Sequence, residues 1–367
     1  MDLTLASEVR PDTFARMVSM HRRPSSRDVA RLANVSQTTV SFVLNRREGA
    51  NISEETRARV EKAAAELGYR PNRLADALLR NKSYTVCCVT PSRLSTYHAG
   101  VVEGIDNYLS ARGYRLLSVY THHDPVREAE QVHAFLDSAV DGIVYFADEV
   151  TLEFVDNWLS RAIESNVACL VVDTRSRPGL DAVVSDDVNG SRQVTDHLIS
   201  LGHERIGHLG AGHVMSTAVD RLEGYRIAMK EAQLPIDESW VIGNSYLSLP
   251  SDQEIFDLAC RVTAITAAAD DSAGKVLQVL KERGVRVPED CSVTGFGNQE
   301  WTPWVGLTTV VQHTQEMGIS AGQLLLQRMG ELSAPPQLRT FATDTVIRQS
   351  TAPPRPPDSA HRMPCLI

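Results

Sequence analysis

Two kinds of hydrophobic periodicity divide this chain. Between about residue 25 and residue 80, apolar side chains recur in short groups: Val29, Ala30 and Ala33; then Val40, Val43 and Leu44; then Val60, Ala64 and Leu67; then Leu74, Leu78 and Leu79. That spacing lays an apolar stripe along one side of each of several α-helices. From Tyr84 onward the pattern changes to short continuous runs (TVCCVTP, GIVYFA, ACLVVD, RIGHLG, TAITAAA, CSVTGF) that alternate with amphipathic stretches of helical length. Continuous apolar strands separated by helices imply parallel sheets covered on both faces. Some 270 residues of this pattern, roughly twice a common domain size, point to two similar α/β lobes.

The flanks lack such periodicity. Residues 1–23 read as a flexible extension, and the closing stretch TAPPRPPDSAHRMPCLI is rich in proline, which removes backbone donors and blocks helices, so 352–367 read as a disordered tail. The chain therefore divides into a helical head at 24–70, a linker at 71–83, and an α/β body at 84–351.

Within the head, SSRDVARLANVSQTTVSFVLN carries the sharpest local signals. Ser25 with Asp28 three residues on suits a capping box, Asn34 suits a left-handed turn, and Ser36 suits the cap of a second, two-turn helix. That helix buries Val40, Val43 and Leu44 and turns Gln37, Thr38, Ser41 and Phe42 outward. Two short helices with a polar outer face on the second describe a DNA-reading helix-turn-helix, although an ordinary helical hairpin has the same spacing. In the first case Gln37 and Thr38 stand at the helix start, where side chains reach base edges, and Phe42 is suited to a thymine methyl. A third helix follows, with Ser53 as cap and Gly68 as its left-handed stop. The segment from Pro71, with Leu74, Leu78 and Leu79, is too short and apolar to stand alone in water. It suits either a helix that forms on DNA and wedges a leucine into the minor groove or a linker packed on the body.

Charge is compatible with DNA contact, although a basic solvated face with no partner has the same asymmetry. Residues 21–83 hold 13 Lys and Arg against 7 Asp and Glu, whereas 84–367 hold 22 against 36. A basic head on an acidic body fits phosphate contact at one end only. The sequence has no apolar run long enough to span a membrane and no secretory leader pattern, so a cytoplasmic protein is expected. The six cysteines show no metal spacing and read as reduced core residues. No phosphate loop, G-x-S-x-G or H-E-x-x-H occurs, and His203, His208 and His213 lie on one strand and its loops, so no catalytic site, metal or cofactor is expected.

The strings DVARLANVSQTTVSFVLN, ISEETRARV and ELGYRPNRLADALL resemble the headpiece and hinge of the LacI/GalR family of bacterial transcription regulators. VDGIVYF, LVVDTR, SDDVNGSRQVTDHLISLGHERIGHLG, RLEGYRIAM, TAITAAADDSAGKVLQVLKERGVRVPEDCSVTGF and GLTTVVQ extend the resemblance through most of the chain. It implies a sequence-specific regulator, by expectation a repressor, that binds a near-palindromic operator as a homodimer. It also implies hinge helices in the central minor groove and a core like periplasmic sugar-binding proteins. The implied DNA contacts are Arg27, Ser36, Gln37, Thr38, Ser41, Phe42 and Asn45 of the headpiece, with Asn72, Arg73 and the intercalating Leu78 of the hinge. Phe42 stands where many members carry arginine, and Leu79 where a basic residue is frequent, which points to an altered operator sequence.

In the body, ligands of doubly wound folds sit at strand C-terminal ends, and two lobes create a cleft there. Tyr97 and His98 follow the first strand, Asp173 ends ACLVVD, Arg221 opens a helix, and Asp270 and Asp271 end TAITAAA. By resemblance Asp173 and Arg221 match positions that hydrogen-bond a small polar effector such as a sugar. Tyr97 and His98 match an aromatic pair that stacks on it, and Asp270 matches a further polar contact; Asp271 reads as a helix cap. Two departures stand out. Gly297 and Asn298 occupy the place of the family's Asp-Asp, and the stretch after Asn244 is shortened. Either the effector is bound in another style, or the pocket is degenerate and answers to a protein partner or to nothing.

Overall fold

The computed structural model describes residues 24–44, 51–70, 82–91, 96–138, 140–146, 155–174, 179–210, 216–243 and 249–356. The chain forms two compact units, Met1–Ser83 and Tyr84–Ile367.

The described residues of the first unit form three helices: α1 (Ser26–Ala33), α2 (Gln37–Leu44) and α3 (Glu54–Leu67). Their ends are set by the residues the sequence singles out. Asp28 accepts the Ser25 backbone N–H at 2.9 Å while the Ser25 hydroxyl accepts the Asp28 N–H, a complete capping box. Asn34 closes α1 at φ 52° and Gly68 closes α3 at φ 62°, both left-handed. Ser36 accepts the Thr39 N–H at 3.0 Å and Ser53 the Thr56 N–H at 3.3 Å. The core is built of small side chains, Val29, Ala30, Ala33, Val40, Val43, Val60, Ala63 and Ala64, which lets the three helices approach closely. Leu44 and Leu67, expected inside, are only half-buried at its edge.

The second unit holds two six-stranded sheets. In chain order its elements are β1 (Thr85–Thr90), α4 (Thr96–Ser110), β2 (Arg115–Tyr120), α5 (Pro125–Asp137), β3 (Gly142–Phe146), α6 (Asp156–Glu164), β4 (Ala168–Val172) and β5 (Asp181–Ser185), which belong to the first lobe. The chain then crosses into α7 (Asp187–Ser200), β6 (Ile206–Leu209), α8 (Ser216–Glu231), β7 (Val241–Ile242), α9 (Asp252–Ala259), β8 (Ala264–Ala267), α10 (Asp270–Glu282), β9 (Ser292–Phe296) and β10 (Thr308–Gln312) of the second. It returns through α11 (Thr314–Gly330) and β11 (Leu338–Phe341) and crosses once more into β12 (Thr343–Val346). The strand orders are β11-β5-β4-β3-β1-β2 and β12-β10-β9-β8-β6-β7. Every pairing is parallel except that of β10 with β12.

Both faces of the first sheet are covered, which explains why its strands read as continuous apolar runs. Val86 and Cys88 of β1 pack toward α4 and α11 with Ile105, Met317 and Leu324, while Cys87 and Val89 pack on the other face with Val132 and Trp158. Helices α4 and α11 cross at glycines: a Cβ on Gly104 would lie 2.3 Å from the Gln315 carbonyl oxygen, and one on Gly318 only 2.1 Å from that of Val101. Nothing larger fits there.

Two expectations are corrected. The tail does not leave the fold at Ala352: its N–H donates to Ser292 Oγ at 3.1 Å, its carbonyl accepts from His203 Nε2 at 2.9 Å, and Arg355 pairs with Asp290 at 2.6 Å. Prolines cannot donate to a ladder, but the carbonyls and side chains between them still bond. Cys87, Cys88, Cys169 and Cys291 are buried thiols as expected, but Cys260 is disulfide-bonded. Linear spacing reveals nothing of which cysteines meet in space.

Candidate functional site

On the head, α2 presents its outer face to solvent. Gln37, Thr38 and Ser41 are exposed and Phe42 is half-exposed, opposite the buried Val40 and Val43. Gln37 is steadied from the neighbouring helix, its Nε2 donating to Ser26 Oγ at 3.3 Å. Ser36 caps the helix, so its role is at least structural. Arg27 is exposed on α1, as is Arg31 one turn on, and Arg59 and Lys62 of α3 are exposed in loose pairs with Glu55 and Glu66. Asn45, Asn72, Arg73 and Leu78 lie outside the described residues, so four of the ten DNA-facing expectations have no structural account here.

In the body, the C-terminal ends of β1, β4 and β5 in one lobe and β8, β9 and β10 in the other carry the expected polar groups, near where the chain crosses between lobes at Asp186, His313 and Ala342. The structure brings Tyr97, His98 and Asp173 together. Asp173, in a left-handed conformation at φ 69°, accepts a short hydrogen bond from the Tyr97 hydroxyl on one oxygen, and its other oxygen lies 4.0 Å from His98 Nε2. The His98 ring stands edge-on to both Tyr97 and Phe146, at centroid distances of 5.5 and 5.2 Å. Burial pushes the Asp173 carboxyl up to about 7, with the Asp187 charge adding to the rise while the Tyr97 hydrogen bond and Arg221 oppose it. Burial and the Asp173 carboxylate hold the Tyr97 phenol well above its ordinary value.

Arg221 joins a different partner. Its Nε and Nη2 donate to the Oδ2 of Asp187 at 3.1 and 3.0 Å, and its Nη1 donates to the carbonyl of Ala268 at 2.6 Å. Its guanidinium lies 3.8 Å above the Phe296 ring. The Oδ1 of Asp187 is taken by the Ser185 hydroxyl and by Gln312 Nε2 at 3.4 Å, and Gln312 also donates to Ser185 Oγ at 2.7 Å. Ser185 ends β5 in the first lobe and Gln312 ends β10 in the second, so one buried carboxylate ties two crossings to Arg221. Sequence reading missed Asp187, Ser185 and Gln312; the only cue was a polar residue closing an apolar strand, which every α/β protein offers.

Asp270 stands apart from both groups. It is fully buried in the second lobe, its oxygens committed to the Thr309 hydroxyl at 2.6 Å and the Gln299 N–H at 2.8 Å. A Cβ on Gly295 would come within 2.2 Å of Asp270 Oδ1, and Gly297 at φ 128° lies beside Oδ2. The glycines of GFGN therefore make room for this aspartate. Asn298 is turned away, its Oδ1 accepting from Arg348 at 2.7 Å. Asp271 is exposed in the first turn of α10, where a carboxylate favours the helix dipole. A cavity of about 370 Å³ lies within the first lobe between α4 and edge strand β2, lined by Thr90, His98, Glu103, Asp106, Leu116, Ser118 and Tyr120 among others. Of the expected effector residues it contains His98 alone.

Among the described residues no group of histidines, cysteines or carboxylates is arranged to hold a metal. His203 and His208 are buried, bonded to Thr263 and Thr266, and burial lowers both, His208 to about 3. No described helix is long and apolar enough to cross a membrane.

Residues 27–72 match the pattern of bacterial regulatory proteins of the lacI family, and 195–351 match that of periplasmic binding protein-like domains. The transcriptional regulator DegA of Bacillus subtilis (strain 168) is 30% identical over 334 residues, spanning 89% of this chain and 97% of that protein. This chain belongs to the LacI family. Its LacI-family relatives include the transcriptional repressor PurR of Vibrio atlanticus (strain LGP32), 30% identical over 310 residues, with 83% and 91% of the two chains covered. The solved complex of the transcriptional regulator CelR with cellobiose matches at 28% identity and a TM-score of 0.64, covering 89% of this chain and all of that one. As a LacI-family member the chain is a DNA-binding transcription regulator, with the expected helix-turn-helix and two-lobed binding-protein-like core.

Proposed function

We propose that this regulator is a cytoplasmic repressor without catalytic activity, which binds a near-palindromic operator as a homodimer and is modulated by a small polar effector in the interlobe cleft. The observation that carries the DNA reading is the outward polar face of α2, held on a preformed three-helix core by side-chain caps and flanked by exposed arginines. Coupling between effector and operator follows if the effector has different affinity for two lobe arrangements, because the linker at 71–83 leads in sequence directly into β1 of the first lobe. Relatives that include a cellobiose complex support a carbohydrate as the effector class.

A second reading, a pocket that no longer takes a small molecule, has an observation of its own: Arg221 is engaged by Asp187 and Ala268, and both oxygens of Asp270 are committed within the second lobe. Selecting DNA from a random pool with the purified chain, then measuring thermal stabilisation across a metabolite panel, separates these readings. A symmetric site plus one saturable stabilising ligand supports the first; a symmetric site with no stabilising ligand supports the second; no enriched site overturns both. On the selected site, Leu78→Ala is expected to weaken binding while leaving the oligomer intact, and unchanged affinity would remove the hinge assignment.

A further inference from the structure

The reading face of α2 carries no charged residue. The helix is QTTVSFVL, with neither an acidic nor a basic residue at either end. At about 100° per residue, Gln37, Ser41, Thr38 and Phe42 fall in that order within an arc of roughly 140°, and Val40 and Val43 lie on the other side. The structure agrees: the first three are exposed, Phe42 is half-exposed, and both valines are buried. A base-reading surface of this composition lacks the two side chains that read guanine best, arginine and lysine, and the carboxylates that accept from cytosine. It offers one amide, the two hydroxyls of Thr38 and Ser41, and one aromatic edge.

We propose that the base pairs under α2 in each operator half-site are A·T-weighted, with one adenine paired by Gln37 and one thymine methyl packed against Phe42. The inference rests on α2 being the recognition helix. The Gln37 amide has two N–H groups; one is directed to Ser26 Oγ at 3.3 Å, which orients the group and leaves the other for adenine N7 while the amide oxygen faces N6. The thymine methyl is the one apolar feature of the major groove, so it is the partner that releases water from an aromatic ring without stranding a polar group. Gln37 and Phe42 lie at opposite ends of the arc and so reach different base pairs. Phosphate charge is met from other elements, with Arg27 and Arg31 exposed on α1.

The test uses the intact chain and the duplex enriched from a random pool. Each thymine in the half-site is replaced in turn by deoxyuridine, which deletes the methyl and nothing else, and one T·A pair is replaced by C·G and by 5-methylcytosine·G. Expected are A·T enrichment under α2, a three- to ten-fold loss of affinity at one thymine per half-site, and partial recovery by 5-methylcytosine over cytosine there. Phe42→Leu is expected to keep a reduced methyl effect and Phe42→Ala to lose it, and the deoxyuridine series on the unaltered chain stands even if either variant folds poorly. A selected site with G·C pairs under α2, or affinity indifferent to every methyl, overturns the proposal while leaving the helix-turn-helix reading intact. Failure to enrich any site would instead strike that reading.

Discussion

The pair formed by Asp187 and Arg221 lends itself to a quantitative test. The two side chains are 2% and 9% exposed, and the guanidinium places two N–H groups on a single carboxylate oxygen at 3.0 and 3.1 Å. At that separation the attraction is about 5 kcal/mol for an effective dielectric near 20, most of it offset by the desolvation of both ions. Removing one partner forfeits the attraction but keeps the desolvation of the other, at about 3 kcal/mol. Asp187→Asn retains an oxygen for Ser185 and Gln312 but removes the charge and turns an amide N–H2 toward the Arg221 guanidinium, so its effect combines the lost charge with a lost acceptor. Arg221→Gln removes the other charge, and the double variant buries neither. The single variants are expected to lose about 3 kcal/mol each in urea unfolding of the intact chain, and the double variant about 2 kcal/mol less than their sum. A coupling below about 0.5 kcal/mol would show that the pair is independent in the folded protein and that the tie between the lobe crossings does not exist.

Other outcomes follow from the same geometry. Gly318→Ala forces a methyl to 2.1 Å from the Val101 carbonyl oxygen at the crossing of α4 and α11, and should destabilise by about 1–3 kcal/mol in urea, whereas no change would mean the helices are free to separate. Asp173 is raised to about 7 in the fold, so the neutral acid is favoured: its contribution is complete below the unfolded value near 4 and is lost as pH rises toward 7. Asp173→Asn should therefore gain about 3 kcal/mol relative to the parent between pH 5 and pH 8, and a difference independent of pH would refute a buried protonated carboxyl.

How much of this was legible in the sequence depended on how local the determining physics is. Caps and left-handed stops act within four residues, and Ser25, Asn34, Ser36, Ser53 and Gly68 all do what their positions suggested. Strands buried on both faces advertise themselves as continuous apolar runs, so β1, β3, β4, β6, β8 and β9 were visible. Strand β2 was not singled out because it is an edge strand with alternating exposure, and β7 because it has two residues. The cleft was legible only in part. Strand-end position pointed to Asp173 and the family resemblance to Arg221, which was expected at a helix start and lies within α8, but the choice of Asp187 as partner depends on Ser185, Gln312 and Ala268 meeting across two sheets, and such convergence leaves no periodic trace. The same holds for Asp270, whose acid group looked available from sequence and is enclosed by Gly295, Thr309 and Gln299.

The central claim is that α2 reads an operator, and the most direct measurement is equilibrium binding of the intact chain to its selected duplex and to a scrambled one at several salt concentrations, repeated with Gln37→Ala combined with Thr38→Ala. The account predicts at least a thousand-fold preference for the selected duplex, with a shared salt dependence from phosphate contacts, and a loss of most of that preference in the variant at little change in scrambled-duplex affinity. Equal, salt-erased binding to both duplexes, or a variant that discriminates as well as the parent, would contradict it.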